Sequence, residues 1–216
     1  HDAYARAGAQ FITANTFGAN SLKYDNVDEL VKAGVALAKK AGKKVALDLG
    51  PTGKLLKPMG DLEFEKAVEL FGEVVRAGKD GSDVAIIETM SDMYELKAAV
   101  LAVKENSDLP IITSMIFDES GRLLTGGDVK SAVAMLEGLR VDAIGFNCGL
   151  GPKQMIPLVK ELRECTSLPI IVMPNAGLPE SVDGKTVYNV SPDEFANDMK
   201  EIAELGVSIL GGCCGT

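Results

Sequence analysis

The feature that most constrains this chain is an alternation. Short, continuous apolar runs recur along it, and nearly every one is followed by a stretch with apolar residues at helical spacing. Strands that are apolar throughout, rather than at every second residue, are buried on both faces, as in parallel sheets covered by helices. Residues 10–17 read as the first strand, and residues 44–49, 84–89, 110–117, 143–147, 169–173 and 207–210 as the next six. Between them the spacing predicts helices over 27–41, 62–77, 92–105, 128–139, 152–165 and 192–205. Ser91 or Asp92 and Ser191 stand where N-caps belong, and Pro152 stands at a first helical position.

Regular strand–helix repetition of this length specifies α/β architecture, either a (β/α)8 barrel or a doubly wound sheet. Residues 1–8 read as the tail of a helix, so an eighth strand is expected before His1. The expected fold is therefore a (β/α)8 TIM barrel, here truncated, with the first strand and the last helix missing. Residues 1–216 would form one barrel domain of a longer chain, with no linker or second domain. Residues 174–190 read as a long irregular loop at a strand end, where barrels place their active sites.

Charge and composition remove several function classes. The chain has 22 basic and 31 acidic residues, a formal charge of −9, and a negative field repels phosphate backbones. Aromatic residues are only 5% and Trp is absent, which argues against a base-stacking platform. No apolar run approaches the roughly 20 residues of a membrane helix, and no signal peptide opens the chain. Neither nucleic acid nor membrane is an expected partner. The four cysteines are sparse and two are adjacent, which is unlike a disulfide scaffold and points to a cytoplasmic protein.

The polar and thiol residues gather at the strands' C-terminal ends, the catalytic rim of a barrel. Asn15, Asp48, Glu88, Asn147-Cys148, Asn175 and Cys213-Cys214 all stand there. Spacing alone leaves two readings of Cys148, Cys213 and Cys214: buried apolar thiols, or ligands of one soft ion such as zinc. Adjacent side chains on a strand point apart, so two neighbouring cysteines reach one ion only where the backbone leaves strand geometry. The flanking glycines permit that. Three protein ligands leave a fourth position open, as in catalytic zinc sites. Zinc held by three thiolates carries a net negative charge, which favours activating a thiol nucleophile over hydrolysis. Cys165, inside a helix, reads as a small hydrophobe. Asp48 reads as a hydrogen-bond partner of the turn at residues 50–53, and Met90, Met115 and Met173 as core filler.

Gly145-Phe146-Asn147-Cys148-Gly149-Leu150-Gly151-Pro152 and Gly211-Gly212-Cys213-Cys214-Gly215-Thr216 resemble motifs of the homocysteine S-methyltransferase family. Asn15-Thr16-Phe17-Gly18-Ala19-Asn20, Ile87-Glu88-Thr89-Met90-Ser91-Asp92 and Pro174-Asn175-Ala176-Gly177-Leu178-Pro179 are similar to it too, in the right order. The last of these is most similar to the homocysteine-binding domain of the cobalamin-dependent branch. The resemblance implies a barrel that holds Zn2+ through Cys148, Cys213 and Cys214 and binds homocysteine as a thiolate at the fourth position. It implies methylcobalamin as methyl donor, carried on another domain or a corrinoid protein, with methionine as product. Betaine- and S-methylmethionine-dependent enzymes share the metal motifs. A non-catalytic zinc barrel that docks a carrier partner is a further alternative. A phosphate-binding barrel is disfavoured, because no Lys or Arg stands beside the glycines at 211–212.

The resemblance pairs Glu88 with the substrate ammonium, whereas a neighbouring Lys or Arg is the plain alternative. Asn175 reads either as a turn residue or as the fourth zinc ligand when substrate is absent. Asn15 and Asn147 read as substrate contacts or as side chains bonding the strand-end backbone. The family usually has Thr where this chain has Ala14.

Overall fold

The apolar runs become parallel strands in a computed structural model that describes residues 1–216. The chain forms two compact units, His1–Ile112 and Thr113–Thr216. In the first, α1 (Asp2–Arg6), β1 (Phe11–Thr13), α2 (Val27–Lys39), β2 (Lys44–Leu49), α3 (Phe64–Gly78), β3 (Val84–Met90) and α4 (Met93–Asn106) alternate as expected. The strand β4 (Ile111–Met115) begins there and ends in the second unit. Within the first unit the strands lie in chain order, with Ile12 opposite Val45 and Asp48 opposite Ile86. Val45 through Leu49 are all buried, as a strand covered on both faces requires. Leu47 packs against Gly78 of α3, so it faces the helices and Asp48, one residue on, points to the opposite face.

Two features of this unit differ from expectation. The first strand covers only Phe11–Thr13, not residues 10–17. Ala14 still donates to the Ala46 carbonyl, but the Thr16 amide turns back onto the Ala14 carbonyl, ending the extended geometry. The turn after β2 is not held by Asp48. Glu95, in the first turn of α4, holds it by accepting from the Thr52 amide at 2.7 Å and the Thr52 hydroxyl at 2.6 Å. Asp92 caps α4 by accepting from the Glu95 amide at 2.9 Å.

The second unit holds the remainder of β4, then α5 (Val129–Gly138), β5 (Ala143–Asn147), α6 (Pro152–Cys165) and β6 (Ile170–Met173). A hairpin, β7 (Glu180–Val182) and β8 (Lys185–Val187), precedes α7 (Pro192–Glu204) and β9 (Ile209–Leu210). The order is again that of the chain, β4-β5-β6-β9, with β5, β6 and β9 parallel. The hairpin replaces the irregular loop expected over 174–190. Asp183 and Gly184 both have positive φ, 50° and 73°, the conformation of a tight Asp-Gly turn. The last strand has two residues rather than four. Pro152 opens α6 and Ser191 caps α7, as expected. No helix is long and apolar enough to cross a membrane.

Gly145 explains how β5 and β6 sit together. A Cβ there would overlap the Ile171 carbonyl oxygen on β6, so only glycine permits this approach. Gly145→Ala should therefore cost about 3 kcal/mol or more, since the obstacle is backbone rather than a movable side chain. Equilibrium denaturation of the variant checks this.

Candidate metal centre

β5 and β6 end side by side, with Asn147 opposite Met173. The Cys148 amide continues the ladder by donating to the Met173 carbonyl at 3.1 Å. The backbone then enters the left-handed region, with φ of 60° at Cys148 and 70° at Gly149. That conformation is strained for cysteine, by about 1–3 kcal/mol, and turns its sulfur out of the strand direction.

The other two thiols follow β9. Gly211 donates to the Val172 carbonyl at 3.1 Å and Cys213 to the Pro174 carbonyl at 2.8 Å. Cys214 donates to the Asn175 side-chain oxygen at 3.0 Å, and its own carbonyl accepts from Ala176 at 2.9 Å. The chain then turns, with the Thr216 hydroxyl bonded to the Cys213 carbonyl at 2.8 Å. Gly215 (φ 84°) completes the turn, and the Tyr188 ring lies where a Cβ would stand. The departure from strand geometry lets the two adjacent sulfurs come within 4.0 Å.

Cys148 and Cys214 sulfurs are 3.9 Å apart, and all three sulfurs lie within 4.8 Å of one another. A disulfide would be near 2.05 Å, so these are free thiols. Tetrahedral zinc with Zn–S bonds of about 2.3 Å spaces its sulfurs at about 3.8 Å, so the triad fits such an ion with one direction left open. Cys165 is not part of the group.

The surroundings favour thiolate. Hydrogen bonding from Cys213 lowers the Cys148 pKa against its partial burial. The Gly149 amide, Cys214 and Asn175 add to the effect, and the thiol is pulled down to about 5. The Asn147 amide nitrogen lies 3.9 Å from the Cys213 sulfur. Its oxygen accepts from the Ser114 hydroxyl at 2.7 Å, with the nitrogen toward the sulfur. Burial, and then its hydrogen bond to Cys214, raise the Tyr188 phenol above its ordinary value.

The second unit thus brings Asn147, Cys148, Asn175, Cys213 and Cys214 together. Asn15, Asp48 and Glu88 belong to the first unit: Asn15 is exposed, Glu88 half-buried at the end of β3, and Asp48 buried. Sequence reasoning missed Ser114 and Tyr188. Ser114 sits mid-strand among apolar residues and gives no local signal. Tyr188 follows the Asp183-Gly184 turn, so recognising the hairpin would have drawn attention to it. Met90 and Met115 are core residues, 0% and 1% exposed, whereas Met173 is half-buried against Gly211.

The family model for homocysteine S-methyltransferase matches residues 1–216, and the chain belongs to that family. It is 32% identical to methionine synthase of Mycobacterium leprae (strain TN) and 33% identical to methionine synthase of Mycobacterium tuberculosis, each over 238 aligned positions. Both alignments take in all of this chain, which spans 20% of the length of either relative. In structure it is similar to the metallated homocysteine methyltransferase MmuM from Escherichia coli, with a TM-score of 0.80 and 22% identity. That match covers 99% of this chain and 77% of the other, and is a likeness of fold.

Asn175→Ala should remove the acceptor of the Cys214 amide and destabilise the metal-free protein by about 1–3 kcal/mol. Urea denaturation of the metal-free variant measures it.

Proposed function

We propose that this chain binds zinc through Cys148, Cys213 and Cys214 and serves transfer of a methyl group to the thiol of homocysteine, giving methionine. The proposed donor is methylcobalamin on another domain or a corrinoid protein, a reading supported by the form of residues 174–179. The observation that carries the proposal is the sulfur triad, with its 3.9 and 4.0 Å spacings, in a chain of this family.

When bound, zinc would supply a fourth position that holds a substrate thiol deprotonated yet nucleophilic. The chain's own groups prepare for that. The Asn147 nitrogen beside Cys213 and the Gly149 amide at Cys148 disperse the sulfurs' negative charge. Asn175 fixes the Cys214 backbone, and its oxygen keeps a lone pair with which to act as fourth donor when substrate is absent. The substrate thiol gives its proton to solvent. Its sulfur pair then forms the new S–C bond as the methyl group's bond to the donor breaks, leaving that electron pair on the donor. Glu88 is proposed to take the substrate ammonium. Asn15 and Asn147 are proposed as polar substrate contacts, Asn147 from its place beside the Cys213 sulfur.

A Cys213→Ser, Cys214→Ser variant should lose nearly all zinc by elemental analysis, and with it methionine formation from homocysteine and methylcobalamin. Cys165→Ser should retain both. Stoichiometric zinc in the double variant would sink the assignment. Homocysteine binding at pH 7 should release close to one proton, because a free thiol with a pKa of about 8.5 is mostly protonated there. Calorimetry in buffers of different ionisation enthalpy reads the proton count, and a count near zero contradicts thiolate binding.

A further inference from the structure

The three sulfurs of the triad do not stand in equal surroundings. The Gly149 amide serves the Cys148 sulfur, and the Asn147 amide nitrogen faces the Cys213 sulfur at 3.9 Å. At Cys214 the donor is of another kind. The Cys214 amide is spent on the Asn175 side-chain oxygen, and its sulfur meets the other two sulfurs, at 3.9 and 4.0 Å, and the hydroxyl of Tyr188. Cys214 is also the exposed member of the three, whereas Cys148 and Cys213 are half-buried.

The hairpin puts Tyr188 in that place. β8 ends one residue before it, with Val187 opposite Glu180 of β7. Just past it, Asn189 donates from Nδ2 to the Glu180 carboxylate at 2.6 Å, and the Val190 amide donates to the Ala176 carbonyl at 3.1 Å. The side chains of Asn189 and Val190 close over Gly177 (φ 98°), where a Cβ would lie 2.9 and 2.8 Å from them. The Tyr188 ring then lies against Gly215, the residue after Cys214, with ring atoms 2.4 and 2.6 Å from where a Cβ would stand. A phenol with an ordinary pKa of about 10 keeps its proton at neutral pH and donates, and a thiolate accepts. The pair is therefore matched to the charge state of a metal-bound cysteine.

An exposed thiolate at a methyl-transfer centre can take the methyl group in place of the substrate thiol and become a thioether. A hydrogen bond to a thiolate spreads its charge and lowers its nucleophilicity, and partners of this kind tune metal-ligating groups. We propose that Tyr188 is a positioning residue that protects Cys214: its hydroxyl makes the Cys214 sulfur a poorer nucleophile than the thiol held at the fourth position, so the methyl group goes to substrate rather than to the protein. This rests on the zinc and methyl-transfer reading above, and adds to it the reason why the exposed ligand sulfur is not the one methylated.

The test is alkylation of the intact, zinc-loaded protein by iodoacetamide at neutral pH, with zinc content measured on the same samples. The attacking sulfur's electron pair forms the S–C bond as iodide leaves, and peptide fragmentation shows which cysteine has reacted. Tyr188→Phe keeps the ring against Gly215 and removes only the hydroxyl. A hydrogen bond to a charged group shifts an equilibrium by about tenfold or more, and thiolate rates follow basicity with a slope of about 0.4–0.5. Cys214 should therefore react at least about threefold faster in Tyr188→Phe, with Cys148 and Cys213 changed less than about 1.5-fold. In the cobalt(II)-substituted protein the same variant should move the sulfur-to-metal charge-transfer band to longer wavelength, because a thiolate without its donor gives up charge more readily. Equal Cys214 rates in the two zinc-loaded proteins overturn the proposal, as does equal acceleration at all three cysteines, which marks a general loosening of the centre. Both results leave the zinc reading standing. If the unmutated protein holds no zinc, the zinc reading falls and this proposal falls with it.

Discussion

Four hydrogen bonds between the segment after β9 and the end of β6 decide where the thiols stand. Gly211 bonds Val172, Cys213 bonds Pro174, Cys214 bonds the Asn175 side chain, and Ala176 bonds Cys214. β9 itself has only two residues, so regular pairing contributes little to this placement. The Asn175 carboxamide supplies an acceptor where no backbone carbonyl is in register. Without it the Cys214 amide would lack a partner just where the chain turns out of strand geometry. The clustering of the three thiols depends on that local departure, because two consecutive strand residues present their side chains to opposite faces.

The same economy appears at Cys148. Its left-handed backbone is strained, yet it is held from both directions: its amide bonds Met173 and its carbonyl accepts from Leu150 at 2.7 Å. Gly145, upstream on the same strand, lets the β6 backbone come close enough for that ladder to form. A buried Ser114–Asn147 pair then aims an amide nitrogen at a sulfur. N–H donors thus face two of the three sulfurs, those of Cys148 and Cys213. Donors suit anionic ligands, and in a partly buried site each is worth more than it would be in water.

Much of this was legible locally. The caps at Asp92 and Ser191 and the proline at the start of α6 are short-range signals, and each stands where it was expected. The thiol triad was legible from three residues at two strand ends. The hairpin at Glu180–Val187 was equally open to local reading, since Asp183-Gly184 between short strands is a strong turn signal, although residues 174–190 read as one irregular loop. Strand ends were less legible. The apolar pattern runs on past Thr13 and begins before Ile209, whereas hydrogen bonding stops at the first turn and starts late.

By itself, the sequence determined the strand–helix order, the parallel character of the strands and which three thiols stand at the strand ends that come together. These follow from hydrophobic periodicity and residue chemistry, which are properties of short segments. Only the tertiary structure decided that Glu95, rather than Asp48, holds the turn after β2, and that Asp48 is left buried beside Glu88. It also decided that Asn175 bonds an amide 39 residues away and that Asn147 is oriented by Ser114. A carboxylate or carboxamide accepts from whichever donor the fold brings within about 3 Å, and that donor is set by strand register and chain reversals rather than by neighbours in sequence.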